Sequence, residues 1–315
     1  MNIIHKIIVH FKNPLKLKEF ILYRFAPFIK NDATFLKLKW RLYMDSPLDL
    51  EHPRTFSEKL QWLKLHNHRP EFSCMVDKVE AKKYVASIIG EDYINPIIAV
   101  YDRVEDIDFN KLPQQFVLKC THDSAGLVIC RDKNKLDVIA TKRKLASSLK
   151  RNFFWQTREW PYKNVKPRIL AEPLLVEKQK PNSDLTDYKF YCFNGRAEYC
   201  QVIADRSTNE TIDFYDRQWR HQPFVGLVSS AQNAPQSQNV PQSQNAPHNY
   251  SLMVDMADKI ATDIRSPFVR IDFYNIDGKI YFGEITFFPL SGRGVFRPQE
   301  WNGRLGDMII IDAKA

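Results

Sequence analysis

Two glycine turns limit what this chain can become. Asn194-Gly195 separates Tyr188–Phe193 from Arg196–Ile203, and Asp277-Gly278 separates Phe268–Tyr274 from Ile280–Phe287. Such dipeptides accept the positive φ that a tight hairpin demands, and the flanking runs are rich in strand-forming Phe, Tyr, Val and Ile. Both hairpins are antiparallel by construction. Further strands are expected at Phe116–Cys120, Leu127–Cys130 and Arg168–Ala171. Helices intervene. Thr55-Phe-Ser-Glu58 is a capping box ahead of Leu60, Trp62, Leu63 and Leu65; others are expected from Asp77 to about Ile89 and over Lys142–Lys150. Ser251–Ile264 sets Leu252, Met256, Ile260 and Ile264 in one row. Helices alternating irregularly with hairpins predict an α+β chain with antiparallel sheets, not a doubly wound parallel sheet.

The 315 residues suffice for two or three subdomains, and 44% hydrophobic with 26% charged residues is ordinary globular usage, which argues against bulk disorder. A net charge of +9 suits an anionic partner: nucleotide, acidic sugar, membrane surface or nucleic acid. No nucleic-acid recognition motif accompanies the charge, so nucleic acid is not expected. The five cysteines form no C-x-x-C pair, which reads as a reduced intracellular setting without structural zinc. Neither a spanning apolar run nor a signal peptide is expected, and the predicted location is cytoplasmic.

Residues 1–45 carry nine Lys or Arg against three Asp or Glu, with apolar residues interleaved. Two readings stay open: a helical subdomain with a solvated basic face, or an amphipathic surface that touches an anionic membrane peripherally. The organisation expected is a basic, mainly helical region over 1–70, a first catalytic part over 71–185 and a second over 186–315. A charge-free six-residue repeat at 233–248 marks an insertion over 229–250.

The chemistry-bearing residues concentrate at the second hairpin. Strand periodicity puts Arg270 with Asp272 on one face, and Glu284 with Thr286 on one face. The two sets meet only if the loop is odd or a bulge intervenes; a plain Asp-Gly turn sends them to opposite sides. Two carboxylates and a hydroxyl make a hard-oxygen set suited to Mg²⁺. The alternative is a half-exposed sheet face with an Arg–Asp pair. Lys119 ends an apolar strand beside the small polar loop Thr121–Gly126, where it can hold phosphate oxygens or simply be an exposed lysine. His122 and Asp123 in that loop are catalytic candidates or loop polarity. Glu172 ends a strand before Pro173 as a hinge beside a nucleotide or as a solvated carboxylate. Lys189 rides on the first hairpin, and Arg206 follows it, suited to an acidic substrate.

These pieces resemble the ATP-grasp superfamily. Arg270-x-Asp272, Glu284-x-Thr286 and Pro289-Leu-Ser291-Gly292 are similar to the corresponding stretch of D-alanine–D-alanine ligases. A closer resemblance is to the TupA-like (teichuronopeptide-synthesis) ATP-grasp proteins of bacterial surface-polysaccharide loci. It rests on Pro53–Trp62, Asp77-Lys78, Phe116–Lys119, Asp187–Gly195, Ala204–Arg206, Val269–Tyr274 and Phe282–Phe287, in order over roughly residues 50–307. The resemblance implies a nucleotide held between two antiparallel sheets. Lys78 and Lys119 would contact the phosphates of ATP, with Ser124 and Gly126 in the loop above. Glu172 would lie beside adenine and ribose, Asp272, Glu284 and Thr286 would bind Mg²⁺, and Arg270 would stabilise the transferred phosphoryl group. Lys189 joins the cofactor set, and Arg206, Ser291 and Gly292 the substrate set. Thr286 departs from the ligases' Asn. The implied activity is ATP-dependent joining of a carboxylate, such as a uronic acid of a surface polysaccharide or its precursor, to an amino acid or amine. The rival is a glycosyltransferase holding a metal and nucleotide sugar on Asp106-Ile-Asp108; a third reading is a non-catalytic membrane-surface scaffold.

Overall fold

The computed structural model describes residues 13–311, apart from 45, 179–182 and 229–244. Most of the 233–248 repeat, and the first twelve residues of the basic region, lie outside the described residues. The N-terminal helices are α1 (Pro14–Phe25), capped by the Asn13 side chain, and α2 (Asp32–Trp40), capped by Asn31. Phe35, Leu36, Trp40 and Leu48 bury against Ala26 to form a small core of their own. Pro27 falls in a short 3-10 turn after α1, which is where the sequence interrupts a single long helix.

Next come α3 (Phe56–His66), α4 (Phe72–Val76) and α5 (Glu80–Ile89). The capping box of α3 forms in full, Thr55 and Glu58 satisfying each other's backbone N–H groups. Although α3 falls within the stretch 1–70, its Phe56, Leu60 and Leu63 sit in the large core. Asp77, expected inside a helix, precedes α5 instead; its carboxylate accepts the N–H groups of Val79 and Glu80.

Strands β1 (Ala99–Tyr101), β2 (Phe116–Cys120), β3 (Leu127–Cys130) and β4 (Ile169–Pro173) make the first sheet, in the order β1-β4-β2-β3. Helices α6 (Val138–Leu149) and α7 (Phe153–Thr157) come between β3 and β4. The second sheet is built from β5 (Asp187–Phe193), β6 (Arg196–Ala204), β7 (Thr211–Asp216), β9 (Phe268–Ile276) and β10 (Lys279–Thr286), in the order β10-β9-β5-β6-β7. Strand β8 (Val225–Val228) pairs with β11 (Val295–Arg297) as a separate ribbon. Helix α8 (Tyr250–Ile264) covers one face of the second sheet, and α9 (Glu300–Asp307) packs on α3. Every described strand pair is antiparallel.

The large core is aromatic. Phe56 meets Phe268 edge-on at 4.9 Å and Phe296 at 5.4 Å, which ties α3, the second sheet and the ribbon together. Edge-to-face rings add specific orientation to the area they bury.

Candidate active site

Both turns have two residues with positive φ: 49° and 88° at Asn194-Gly195, 51° and 85° at Asp277-Gly278. A two-residue turn alone pairs Phe282 with Phe273 and would place Glu284 opposite Ile271, on the wrong face. Register shifts at Gly283, however, and Glu284 pairs with Asp272 and Thr286 with Arg270. The bulge inserts one residue and flips the remainder of the strand. Gly283 suits it because a Cβ there would meet the carbonyl oxygen of Asp272 at 3.0 Å. The oxygen set expected from strand periodicity therefore assembles through the bulge, with the even turn intact.

Strand β5 extends the row. Lys189 pairs with Asp272 and Tyr191 with Arg270, so Lys189, Asp272 and Glu284 stand side by side on three strands. Lys189 Nζ lies 2.6 Å from Asp272 Oδ2 and 3.3 Å from Asp187 Oδ1. Arg206 closes on the other Asp187 oxygen at 2.9 Å. The buried Arg270 guanidinium donates from Nε to Asp272 Oδ1 at 2.7 Å, and from Nη2 to Asp272 Oδ2 at 2.7 Å, Glu284 Oε1 at 2.9 Å and Thr286 Oγ1 at 3.1 Å.

Burial pushes the Asp272 carboxyl above its ordinary range, even though Arg270 and Lys189 pull it down. A carboxylate in that state gains from further positive charge. Glu284 also feels burial upward, but Arg270, Lys189 and Lys78 together bring it down to about 2. Its side chain is 45% exposed, and its contacts to Arg270 and Thr286 fall on Oε1. Asp272, Glu284 and the Thr286 hydroxyl gather hard oxygens around Arg270 Nη2, and these are the donor types a divalent cation takes beside phosphate and water.

Across the cleft the first sheet presents cations. Lys119, next to last in β2, contacts Glu172 on β4; Lys82 of α5 holds the other Glu172 oxygen at 3.0 Å. Burial would raise Glu172, but Lys119 and Lys82 bring it below the usual carboxylate range. Glu172 is thus a counter-ion locked under two lysines, in a strand rather than in a free hinge. Lys78 donates to the Asp123 carbonyl at 2.6 Å, and burial lowers its pKa, with Lys119 adding to the effect and Glu284 offsetting it. These groups line one cavity of about 220 Å³ between the sheets, together with Ser124 and Gly126 of the loop. An adjoining cavity of about 250 Å³ shares Lys119, Glu172 and Arg206 and has apolar walls at Val117, Leu127 and Ile129. A trench with an apolar end and a charged end fits a nucleotide, base at one end and phosphates at the other.

Asp123 and His122 are both tied to the chain around the loop, and Asp123 also lines the cavity. Asp123 accepts the Gly126 N–H at 2.9 Å and the Ser148 hydroxyl, and His122 is buried against the Ser148 carbonyl at 3.2 Å. A Cβ at Gly126 would strike Cys120 Sγ at 2.5 Å, so this glycine lets the loop turn back over β2.

Ser291 and Gly292 do not line the trench. They are buried under α3, where Gln61 Nε2 donates to both carbonyls, at 3.0 and 2.8 Å, and Lys64 Nζ donates to Ser291 Oγ at 2.8 Å. Burial lowers the Lys64 pKa to about 7, with Arg293 contributing and Glu159 opposing. The structure thus anchors this loop to α3. Asp106 and Asp108 lie off the trench, at two short 3-10 turns, facing Arg103 at 3.9 Å and Lys111 at 3.6 Å. Lys82 and Asn95, which stitch α5 to β4, went unpredicted; no local signal distinguishes a buried helix lysine from an exposed one.

The family model for TupA-like ATPgrasp proteins matches residues 58–310. Among solved structures, a D-alanine–D-alanine ligase from Bacillus anthracis complexed with ATP is 15% identical, with a TM-score of 0.44, over 76% of this chain and 65% of that one. The Helicobacter pylori D-alanine–D-alanine ligase is 12% identical, with a TM-score of 0.41, over 81% and 69%. An ADP complex of N5-carboxyaminoimidazole ribonucleotide synthetase is 13% identical, with a TM-score of 0.38, over 73% and 50%. The chain thus spans about two thirds or less of those proteins' lengths. No curated protein matches it.

Proposed function

We propose, from the premise that this chain belongs to the TupA-like ATP-grasp family, that it is an ATP- and Mg²⁺-dependent carboxylate–amine ligase. The observation that carries the reading is the polarity of the trench, with Lys78, Lys82 and Lys119 on one wall and Asp187, Asp272 and Glu284 on the other. Lys78 and Lys119 hold phosphate oxygens, and the apolar face of Val117, Leu127 and Ile129 receives the base. Asp272 and Glu284, with the Thr286 hydroxyl, would hold a divalent cation, which would supply charge neutralisation at the transferred phosphoryl group. Arg270, fixed by Asp272, adds a positioned positive charge beside it. The substrate carboxylate attacks the γ-phosphorus and ADP leaves; an amine then attacks the acyl carbon, phosphate departs and an amide forms. Such a reaction depends mostly on positioning and fixed charge and needs little from side-chain acids or bases. The acidic substrate is a uronic acid of a surface polysaccharide or its precursor, with Arg206 at the trench mouth as the carboxylate-facing cation and an amino acid or amine as nucleophile. The enzyme works in the cytoplasm, at a membrane face.

Thermal denaturation with Mg-ATP, set beside a panel of nucleotide sugars, tests the first half. A ligand at a hundredfold its Kd adds about 2.7 kcal/mol to the folded state. Stabilisation by Mg-ATP, lost in Asp272→Asn, is expected. A response to nucleotide sugars alone overturns the ligase. ADP release on adding uronic acids with amino acids then identifies the substrate pair.

A further inference from the structure

Helix α1 turns an unusual face outward. Lys18, Ile21, Phe25 and Phe28 follow one another at spacings of three and four, which is one side of a helix continued into its terminal turn. Ile21 is 48% exposed, Phe25 57% and Phe28 75%, and no residue of α1 is fully buried. The Phe25 and Phe28 rings lie 6.5 Å apart, so the two aromatics form one patch.

The charge around this patch is one-sided. Lys16, Lys18, Arg24, Lys30, Lys37 and Arg41 are all exposed. The acids of the same segment are used internally: Glu19 accepts from the Tyr23 and Tyr43 hydroxyls, and Asp32 pairs with the buried Arg158 at 2.8 Å. That pairing also clamps the N-terminal helices to the body, since Arg158 Nη2 donates to the carbonyls of Ala26 and Ile29, each at 2.8 Å. The patch is therefore presented by a rigid mount.

Exposed aromatics within a ring of cations, with Glu19 and Asp32 engaged by their own partners, match an anionic bilayer surface: rings enter the headgroup boundary and the lysines and arginines meet lipid phosphates. A protein partner would have to supply a complementary acidic rim around an apolar socket, and nothing in the molecule favours that narrower fit. No described helix is long and apolar enough to cross a membrane, so the contact is peripheral. We infer that the Ile21–Phe25–Phe28 face, with its surrounding lysines and arginines, docks this protein on anionic lipid. This docking names the surface behind the membrane location given above and does not depend on the ligase chemistry.

The test is co-sedimentation of the full chain with vesicles of phosphatidylcholine alone and of an equal mixture of phosphatidylcholine and phosphatidylglycerol. Partitioning at least about tenfold stronger on the mixed vesicles is expected, falling with added salt. Phe25→Ser/Phe28→Ser and, separately, Lys16→Glu/Lys18→Glu/Arg24→Glu should each abolish it while leaving the melting temperature and the Mg-ATP shift unchanged. Failure of the wild type to pellet with anionic vesicles overturns the inference. So does unchanged binding of the phenylalanine variant, which would mark diffuse charge attraction without a docking face. The Mg-ATP shift reports the ligase reading separately, so either can fail alone.

Discussion

The two sheets that face each other across the trench are opposites in charge and in support. The first presents Lys119, joined by Lys82 of α5, over a single locked carboxylate, and its edge strand β3 leaves Leu127 and Ile129 exposed to the trench. The second presents Asp187, Asp272 and Glu284, backed by α8 and by the aromatic cluster around Phe56. Each sheet also carries the opposite sign within itself: Glu172 steadies the lysines, and Lys189 with Arg270 steadies the acids. The contrast teaches that a charged cleft needs counter-ions in its own wall. Without them each row of like charges would repel itself in a partly buried site.

The largest effect should come from the acidic wall. Asp272→Asn and Glu284→Gln are each expected to lower ADP release by about 10²–10³-fold, the scale for removing one preorganised electrostatic contact. A coupled ADP assay with a melting curve on each variant separates chemistry from folding.

Shifting the register comes next. Gly283→Ala puts a Cβ 3.0 Å from the Asp272 carbonyl oxygen, so the two strands must part by a few tenths of an ångström beside Glu284. A loss of up to about tenfold in kcat is expected for a displacement below about 1 Å. Retained activity would show that the bulge tolerates a side chain.

On the cationic wall, Lys82→Met leaves Glu172 buried with one partner fewer. A stability loss of about 3 kcal/mol in urea denaturation is expected for a broken buried pair. Lys119→Met, at the more exposed end, should chiefly raise KM for ATP. The two walls should also respond together to acid. Glu172 and Glu284 both have folded-state pKa values below their unfolded ones, Glu284 at about 2. Their contribution is present above the unfolded carboxylate range and is lost as pH falls from there through the folded values. Melting temperature should therefore drop below about pH 4.5, and Glu172→Gln/Glu284→Gln should flatten that drop.

The smallest effect belongs to Thr286→Val, which removes one of the four contacts made by Arg270. A loss of about twofold to tenfold in kcat/KM matches one hydrogen bond. A larger loss would make the hydroxyl a metal ligand of full weight.

Much of this architecture was legible locally. Strands β2 and β3 begin and end where the alternation of Phe116–Cys120 and Leu127–Cys130 places them, and both glycine turns close as two-residue hairpins. The need for a bulge or an odd loop followed from the parity of residues between Asp272 and Glu284. That it is a bulge, at Gly283, was not legible, because a glycine inside a strand signals either a bulge or close backbone approach; here it is both. Short elements were missed for the opposite reason: β1, β8 and β11 are three or four residues long, too short for a period to register.

What the sequence determined by itself is whatever depends on near neighbours: turn chemistry, helix caps, the antiparallel hairpins, and the residue types brought to the acidic row. Only the tertiary structure decided which charges meet across long separations. It set Lys82 and Lys119 on Glu172, turned Lys64 inward onto Ser291 and made that loop an anchor, and spent Glu19 and Asp32 inside while Phe25 and Phe28 stayed out. The physical reason is that a lysine on a helix carries the same local signal whether it meets water or a buried carboxylate. Its partner is chosen by how sheets and helices pack, and packing is a property of the whole chain.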